Sequence, residues 1–149
     1  MRDQISNQLK TALKAQKKRE VSTLRLIMAA IKDRDIASRS KGKDGVDDQE
    51  ILEILAKMIK QRQESVKTYE EAGRLELAEA EQEEIEIISG FLPQQLNKDE
   101  TRSAVETVIQ EIGATSLKDM GRTMSLLKER YAGQMDFSVS SSMVKEILG

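Results

Sequence analysis

The only proline of the 149-residue chain lies in the segment Ser89-Gly90-Phe91-Leu92-Pro93-Gln94-Gln95-Leu96-Asn97. Gly90 can end a helix, and the proline disfavours helical geometry at Leu92, the residue before it. The helical register is therefore reset at this point. The segment is also rich in large apolar side chains, so we expect it to pack rather than to form a free linker. We predict one domain over residues 1–90 and a second over residues 91–149.

The composition on both sides of this segment favours helices. Aromatic residues make up 3% of the chain, Trp is absent, and charged residues reach 34%. A core of Leu, Ile, Val, Ala and Met suits helix packing, and a single proline argues against a turn-rich β fold. No run approaches the roughly 20 apolar residues of a membrane helix, and the N-terminus lacks the apolar region of a signal peptide. We predict an all-α, cytoplasmic protein with no membrane partner.

Residues 1–90 show the pattern of a long-helix domain. Two amphipathic helices come first, and a polar, glycine-containing loop follows over residues 38–45. Asp47 can cap the next helix, because Glu50 stands three residues later, and Gly73 suits the left-handed residue after a helix end. Residues 47–89 are therefore predicted to form a helical hairpin.

One charged residue interrupts the apolar seam of that hairpin. Arg62 follows Ile59 by three residues and precedes Val66 by four, so it lies on the buried stripe. Folding the hairpin at its glycine brings Arg62 opposite the turn that contains Glu81 and Glu84. We predict a structural ion pair with one of these two carboxylates, while the alternative is that Arg62 reaches water along its apolar stem.

The C-terminal third carries three short amphipathic helices with separate start signals. The predicted caps are Asn97 with Glu100, Ser116 with Asp119, and either Asp136 or Ser138. The last helix is expected to bury Val139, Met143 and Ile147. Helices this short are marginal alone in water, so the three are predicted to share a core as a small bundle.

The chain lacks the side chains on which most catalytic sites depend. His and Cys are absent, which removes the commonest general base, the commonest metal ligand and the thiolate nucleophile. The serines at 138, 140, 141 and 142 have no nearby base and are explained by capping and solvated surface. The glycines form no phosphate-binding loop, and the acidic face of Glu79, Glu83 and Glu86 lacks the histidines of a carboxylate-bridged metal bundle. We predict no catalytic residue, no cofactor and no metal.

The net charge of −2 conceals a strong asymmetry along the chain. Residues 1–45 carry +7, residues 46–100 carry −9, and residues 101–149 carry 0. The basic arm can attract phosphates or neutralise the acidic segment that follows it. In the last third, Lys118 and Arg122 stand at i and i+4, with Lys128 and Arg130 farther along the same helix. On spacing alone, these four cations fit either an RNA backbone contact or an ordinary soluble surface.

Several motifs together resemble the GatB/YqeY family. They are Lys57-Met58-Ile59-Lys60-Gln61-Arg62-Gln63-Glu64-Ser65, then Ala72-Gly73-Arg74, Phe91-Leu92-Pro93-Gln94-Gln95-Leu96 and Asp119-Met120-Gly121-Arg122. The C-terminal part resembles the tail domain of the B subunit of glutamyl/aspartyl-tRNA amidotransferase. The whole chain resembles the stand-alone YqeY form. Two departures are Arg122, where the family often has Lys, and Ser125, where it commonly has Gly.

The resemblance implies an N-terminal helical domain, a small helical tail domain and tRNA as a partner. By position it makes Lys118, Arg122, Lys128 and Arg130 the RNA-binding candidates. The basic N-terminal arm adds Lys14, Lys17, Lys18 and Arg19 as a predicted secondary contact. The ATP-using catalytic portion of the amidotransferase has no counterpart here, so a carbon–nitrogen ligase label with glutamine as amido donor is inherited by kinship. We predict a non-catalytic tRNA-binding or tRNA-associated module. The alternative is a protein-interaction adaptor that docks the amidotransferase, another protein or a second copy. No DNA partner is expected.

Overall fold

The computed structural model describes residues 1–149 and contains seven α-helices and no strand. The helices are α1 (Arg2–Lys14), α2 (Lys18–Arg39), α3 (Asp48–Glu71), α4 (Leu75–Ser89), α5 (Lys98–Ile112), α6 (Met120–Arg130) and α7 (Phe137–Leu148). The prediction of an all-α fold is confirmed. None of the seven helices is long and apolar enough to cross a membrane. The chain forms two compact units, Met1–Leu92 and Pro93–Gly149.

The first unit packs α1 to α4 around one aliphatic core. Its largest fully buried apolar side chains are Ile5, Leu24, Ile27, Ile31, Ile51, Leu55 and Ile88. The hairpin of α3 and α4 turns at Gly73, whose φ of 72° is left-handed as the sequence predicts. Phe91 is 6% exposed and belongs to this same core, although the domain division drawn from the sequence assigned it to the second domain.

Helix α2 extends past the point where the sequence predicted a loop. It continues to Arg39, and Ser38, the first residue of the predicted loop, is buried. The physical reason is Asp35, which is 8% exposed and receives two guanidinium hydrogen bonds from Arg2, one of them at 2.8 Å between Nη1 and Oδ2. Asp35 Oδ1 also accepts from the backbone N–H of Val46 at 2.9 Å. This clamp ties the start of α1, the end of α2 and the following loop together.

Helical periodicity alone marks Asp35 as a buried position, although the clamp is not among the sequence-based predictions. Asp35 continues the stripe of Val21, Leu24, Met28 and Ile31 at the same steps of three and four residues, as Arg62 does in the hairpin. The guanidinium of Arg2, followed by the Val46 N–H, holds the pKa of the Asp35 carboxyl well below its usual range. A Cβ at Gly45 would lie 3.0 Å from Asp35 Oδ1, so the close approach of backbone and carboxylate favours glycine there.

Arg62 lies in the seam of the hairpin and is paired. Its Nε donates to Glu84 Oε2 at 2.8 Å, and its Nη1 donates to the carbonyl of Met58 at 3.1 Å. The Arg62 and Glu84 side chains are only 14% and 23% exposed. Burial, and next the charge of Glu84, raise the pKa of Glu81, while Arg62 opposes that rise. Arg62 therefore hydrogen bonds Glu84, whereas its interaction with Glu81 is only electrostatic.

The second unit packs α5, α6 and α7 around its own core. The buried apolar residues are Ala104, Val105, Val108, Ile109, Leu127, Met135, Met143, Val144 and Leu148. The predicted capping box is present, because Asn97 Oδ1 accepts from the Glu100 N–H at 2.8 Å and the Glu100 carboxylate accepts from the Asn97 N–H. Gly113 ends α5 with a left-handed φ of 67°.

The start of α6 differs from the prediction. A single 3-10 turn, Leu117–Asp119, precedes the helix, and the hydroxyl of Ser116 makes no capping hydrogen bond. Instead, Asp119 Oδ2 reaches back and accepts from the Thr115 N–H at 2.9 Å. Of the predicted capping pair, Asp119 therefore accepts from a free backbone N–H, whereas the Ser116 side chain does not.

The last helix buries a different face from the predicted one. Asp136 is its cap, since the carboxylate accepts from the Ser138 N–H at 2.8 Å. Val139 is 44% exposed, however, whereas Ser140 is fully buried. The rotated face buries Val144 and Leu148 beside Met143, and Ser140 tolerates burial because its hydroxyl donates to the Phe137 carbonyl at 3.3 Å. The expectation of solvated surface is therefore wrong for Ser140, and the expected burial is wrong for Val139 and for Ile147, which is 39% exposed.

Candidate nucleic-acid interface

One exposed face of α6 combines small residues with cations. Gly121, Ser125 and Lys128 recur at steps of four and three residues, so they lie above one another on the helix. All three are exposed. Lys118 precedes Gly121 by three residues in the 3-10 turn, and Arg122 is the next residue around the helix. We call these five residues the α6 face.

Nothing within the chain requires a glycine at position 121. Gly121 has helical backbone geometry in the first turn of α6, and an added Cβ would meet no atom within 4 Å. A helical glycine costs about 0.5–1 kcal/mol relative to alanine. The residue therefore costs stability without serving the packing of its own unit, and it leaves the helix backbone open to close approach from outside.

The cations beside Gly121 are accessible to an anion. Lys118 is exposed and makes no hydrogen bond or ion pair. The Arg122 side chain is 60% exposed, and its Nη2 donates to Asp119 Oδ1 at 3.1 Å. The Thr115 N–H and, more weakly, Arg122 hold the pKa of Asp119 below its usual value, so this neighbour is ionised. Such exposed pairs are worth little, so Arg122 can exchange the carboxylate for a phosphate.

Arg130 does not belong to this face. It follows Gly121 by nine residues, which places it about 180° around the helix. There it forms a two-pronged ion pair with Glu111 of α5, with Nη2 and Oε1 at 2.8 Å. The Arg130 guanidinium holds the pKa of the Glu111 carboxyl below its usual value. The four cations grouped by the sequence thus separate into three on the α6 face and one that links two helices.

The basic residues proposed as a secondary contact lie where α1 meets α2. Lys14 is the last residue of α1, Lys17 is in the turn, and Lys18 is the first residue of α2; all three are exposed and none forms an ion pair. Arg19 is different, because its Nη1 lies 2.6 Å from Glu83 Oε2 of α4. Neutralisation of the basic arm by the acidic segment therefore occurs at Arg19 and not at these three lysines.

Fold and surface define a small all-helical protein of two units, with a cationic helix face and no His or Cys. The profile described as Yqey-like protein matches residues 2–148, and the chain belongs to that family. The resemblance drawn from the motifs is confirmed. Members of this family are stand-alone relatives of the tail domain of the amidotransferase B subunit.

Several fungal proteins are similar to this chain in sequence. A protein of Schizosaccharomyces pombe named only as uncharacterized is 32% identical over 90 residues, which cover 60% of this chain and 70% of the relative. Altered inheritance of mitochondria protein 41 of Lachancea thermotolerans is 28% identical over 147 residues, covering 95% of this chain and 75% of the relative. The protein of that name from Pyrenophora tritici-repentis is 26% identical over 152 residues, covering 95% and 77%. Neither name mentions an RNA.

Proposed function

We propose that the chain is a non-catalytic tRNA-binding module that contacts phosphates through the α6 face. The observation that carries the proposal is Gly121, a glycine that its own unit does not need, placed between Lys118 and Arg122. A sugar–phosphate backbone is a partner that benefits from a bare helix backbone flanked by positive charge. Kinship to the tail domain of a tRNA-handling enzyme makes tRNA the nucleic acid of choice over DNA.

The charge balance of the α6 face predicts weak and salt-sensitive binding. Lys118, Arg122 and Lys128 supply three positive charges, whereas Asp119 and Glu129 lie close to them in the same helix region. Three phosphate contacts correspond to a salt exponent of about 2–2.7. Affinity should therefore fall about 20- to 40-fold between about 50 and 200 mM salt.

The test is a titration of the full chain with bulk tRNA at these two salt concentrations. Wild type should bind at low salt, and Lys118→Gln/Arg122→Gln should reduce the salt exponent to about one because a single contact remains. The matched control is Lys98→Gln/Lys145→Gln, which removes the same charge from exposed positions on α5 and α7. Equal loss of tRNA affinity in both double variants would show that only net charge matters and would argue against a contact at the α6 face. Absence of binding at low salt would refute the proposal.

Arg130 provides a further check on the geometry. Arg130→Gln should leave tRNA affinity almost unchanged, although the sequence grouped this residue with the contact candidates, because its guanidinium is engaged with Glu111. Glutamine-dependent amide transfer is not expected of this chain, since the carbon–nitrogen ligase label comes only from kinship.

Cytoplasmic localisation remains a prediction for this chain. The relatives from Lachancea thermotolerans and Pyrenophora tritici-repentis carry the word mitochondrial in their names. A fluorescent fusion of the full-length protein, imaged in the source cells beside a mitochondrial marker where such organelles exist, distinguishes the two locations.

A further inference from the structure

An open groove of about 630 Å³ lies between α1 and α2 in the first unit. Its apolar lining comes from Leu13 of α1 and from Val21 and Leu26 of α2. Leu13 and Leu26 are each 46% exposed, so two leucines of one concave surface remain in contact with water. Solvent-exposed apolar surface of this kind commonly marks a place where another molecule binds.

The charged residues that line this groove are all cationic, and its other polar residues, Gln16 and Ser22, are neutral. Lys18 and Arg25 line it, no acidic residue does, and neither cation forms an ion pair. Lys14 and Lys17 extend the exposed positive charge beside it. The surface thus combines an apolar floor with positive charges that have no counter-ion within the chain.

The spacing of the rim charges fits a helical occupant. Lys18 and Arg25 are seven residues apart on α2, which corresponds to about 10 Å along the helix axis. Carboxylates separated by two turns on a partner helix repeat at the same distance. The leucines between the cations would then receive the apolar stripe of that helix.

We infer that this groove binds an acidic amphipathic helix of another protein. Apolar side chains of the partner fill the space between Leu13 and Leu26, and its glutamates or aspartates pair with Lys18 and Arg25. Nucleic acid would satisfy the charges but would leave the leucines exposed. A second copy using the same groove would place like charges opposite each other, which is unfavourable. The inference goes beyond tRNA binding by the α6 face and is independent of it.

The test uses methyl NMR of the full chain with two synthetic peptides. The probe is an 18-residue peptide with leucines at i, i+3, i+4 and i+7 spacing and glutamate on its other faces, and its twin carries lysine in place of every glutamate. The acidic peptide should shift the Leu13 and Leu26 methyl signals at sub-millimolar concentration. The lysine twin should bind at least about tenfold more weakly, because each charge contact reverses sign.

Variants in and outside the groove locate the contact. Leu26→Ser and Arg25→Glu should each weaken binding of the acidic peptide about five- to tenfold. The matched controls are Ile36→Ser and Lys32→Glu, which alter an exposed apolar residue and an exposed cation of the same helix outside the groove. Unchanged thermal unfolding of the four variants shows that folding is not the cause.

Three outcomes would overturn the inference. Absence of shifts at Leu13 and Leu26 with millimolar acidic peptide removes the site. If tRNA shifts the Leu13 and Leu26 signals with higher affinity than the acidic peptide does, the groove binds RNA. Shifts that appear on raising the protein concentration alone assign the groove to a second copy of the chain.

Discussion

Replacement of Gly121 by alanine separates the stability of the second unit from its proposed binding function. Apart from the adjoining backbone of its own helix, the added Cβ meets no atom within 4 Å, and the backbone is already helical, so no strain is introduced. Alanine is favoured over glycine in a helix by about 0.5–1 kcal/mol. We therefore expect Gly121→Ala to raise the free energy of unfolding by that amount, with an increase of a few degrees in Tm.

The same methyl group should weaken tRNA binding. It fills the space through which a phosphate backbone reaches the helix, and it keeps that backbone away from both Lys118 and Arg122. Each exposed charge contact is worth up to about 1 kcal/mol. Loss of one or two such contacts corresponds to about a five- to thirtyfold rise in Kd.

Two assays on the same samples test this pair of effects. Urea unfolding followed by circular dichroism gives the stability, and fluorescence anisotropy with labelled bulk tRNA at about 50 mM salt gives the affinity. Ser103→Ala is the control, because it alters an exposed residue of α5 outside the α6 face, and it should leave the affinity unchanged. A Gly121→Ala protein that binds as well as wild type would refute close approach at Gly121, and a destabilised one would show that the glycine serves the fold.

Two further predictions concern the charged residues buried in the first unit. Arg62→Met should lower the free energy of unfolding by about 2–3 kcal/mol in urea titrations, which is below the range for a fully buried pair because the partners are 14% and 23% exposed. The double variant Arg62→Met/Glu84→Leu should recover most of this loss. Equal instability of the single and double variants would contradict an ion-pair origin. Because Arg2 depresses the folded-state pKa of Asp35 below its unfolded value, the stabilisation is present above about pH 4 and is lost as pH falls further. The urea midpoint of Asp35→Asn should therefore change less than that of wild type between about pH 6 and 3, and parallel curves would argue against the Arg2 clamp.

Patterns of neighbouring residues were sufficient to predict the helices. The polar caps at Asp47 and Asn97 and the left-handed glycines at 73 and 113 act within one turn of the chain, so their effect can be read locally. The position of Arg62 on an apolar stripe predicted a need for a partner on α4. The same local reasoning failed for α7, because which of two overlapping apolar stripes faces the core depends on how α5 and α6 fill the space opposite.

Local sequence patterns were enough to predict an all-helical chain that is divided at Pro93 and that resembles a known family. These patterns act over one or two helical turns, and that range covers caps, helix ends and stripes. The three-dimensional structure was needed to show that Arg130 is bound to Glu111, that Arg19 is bound to Glu83, and that Asp35 joins three segments. These partners lie between 11 and 64 residues apart in the chain. Whether a surface cation is available to a ligand depends on such distant neighbours, and helical periodicity carries no information about them.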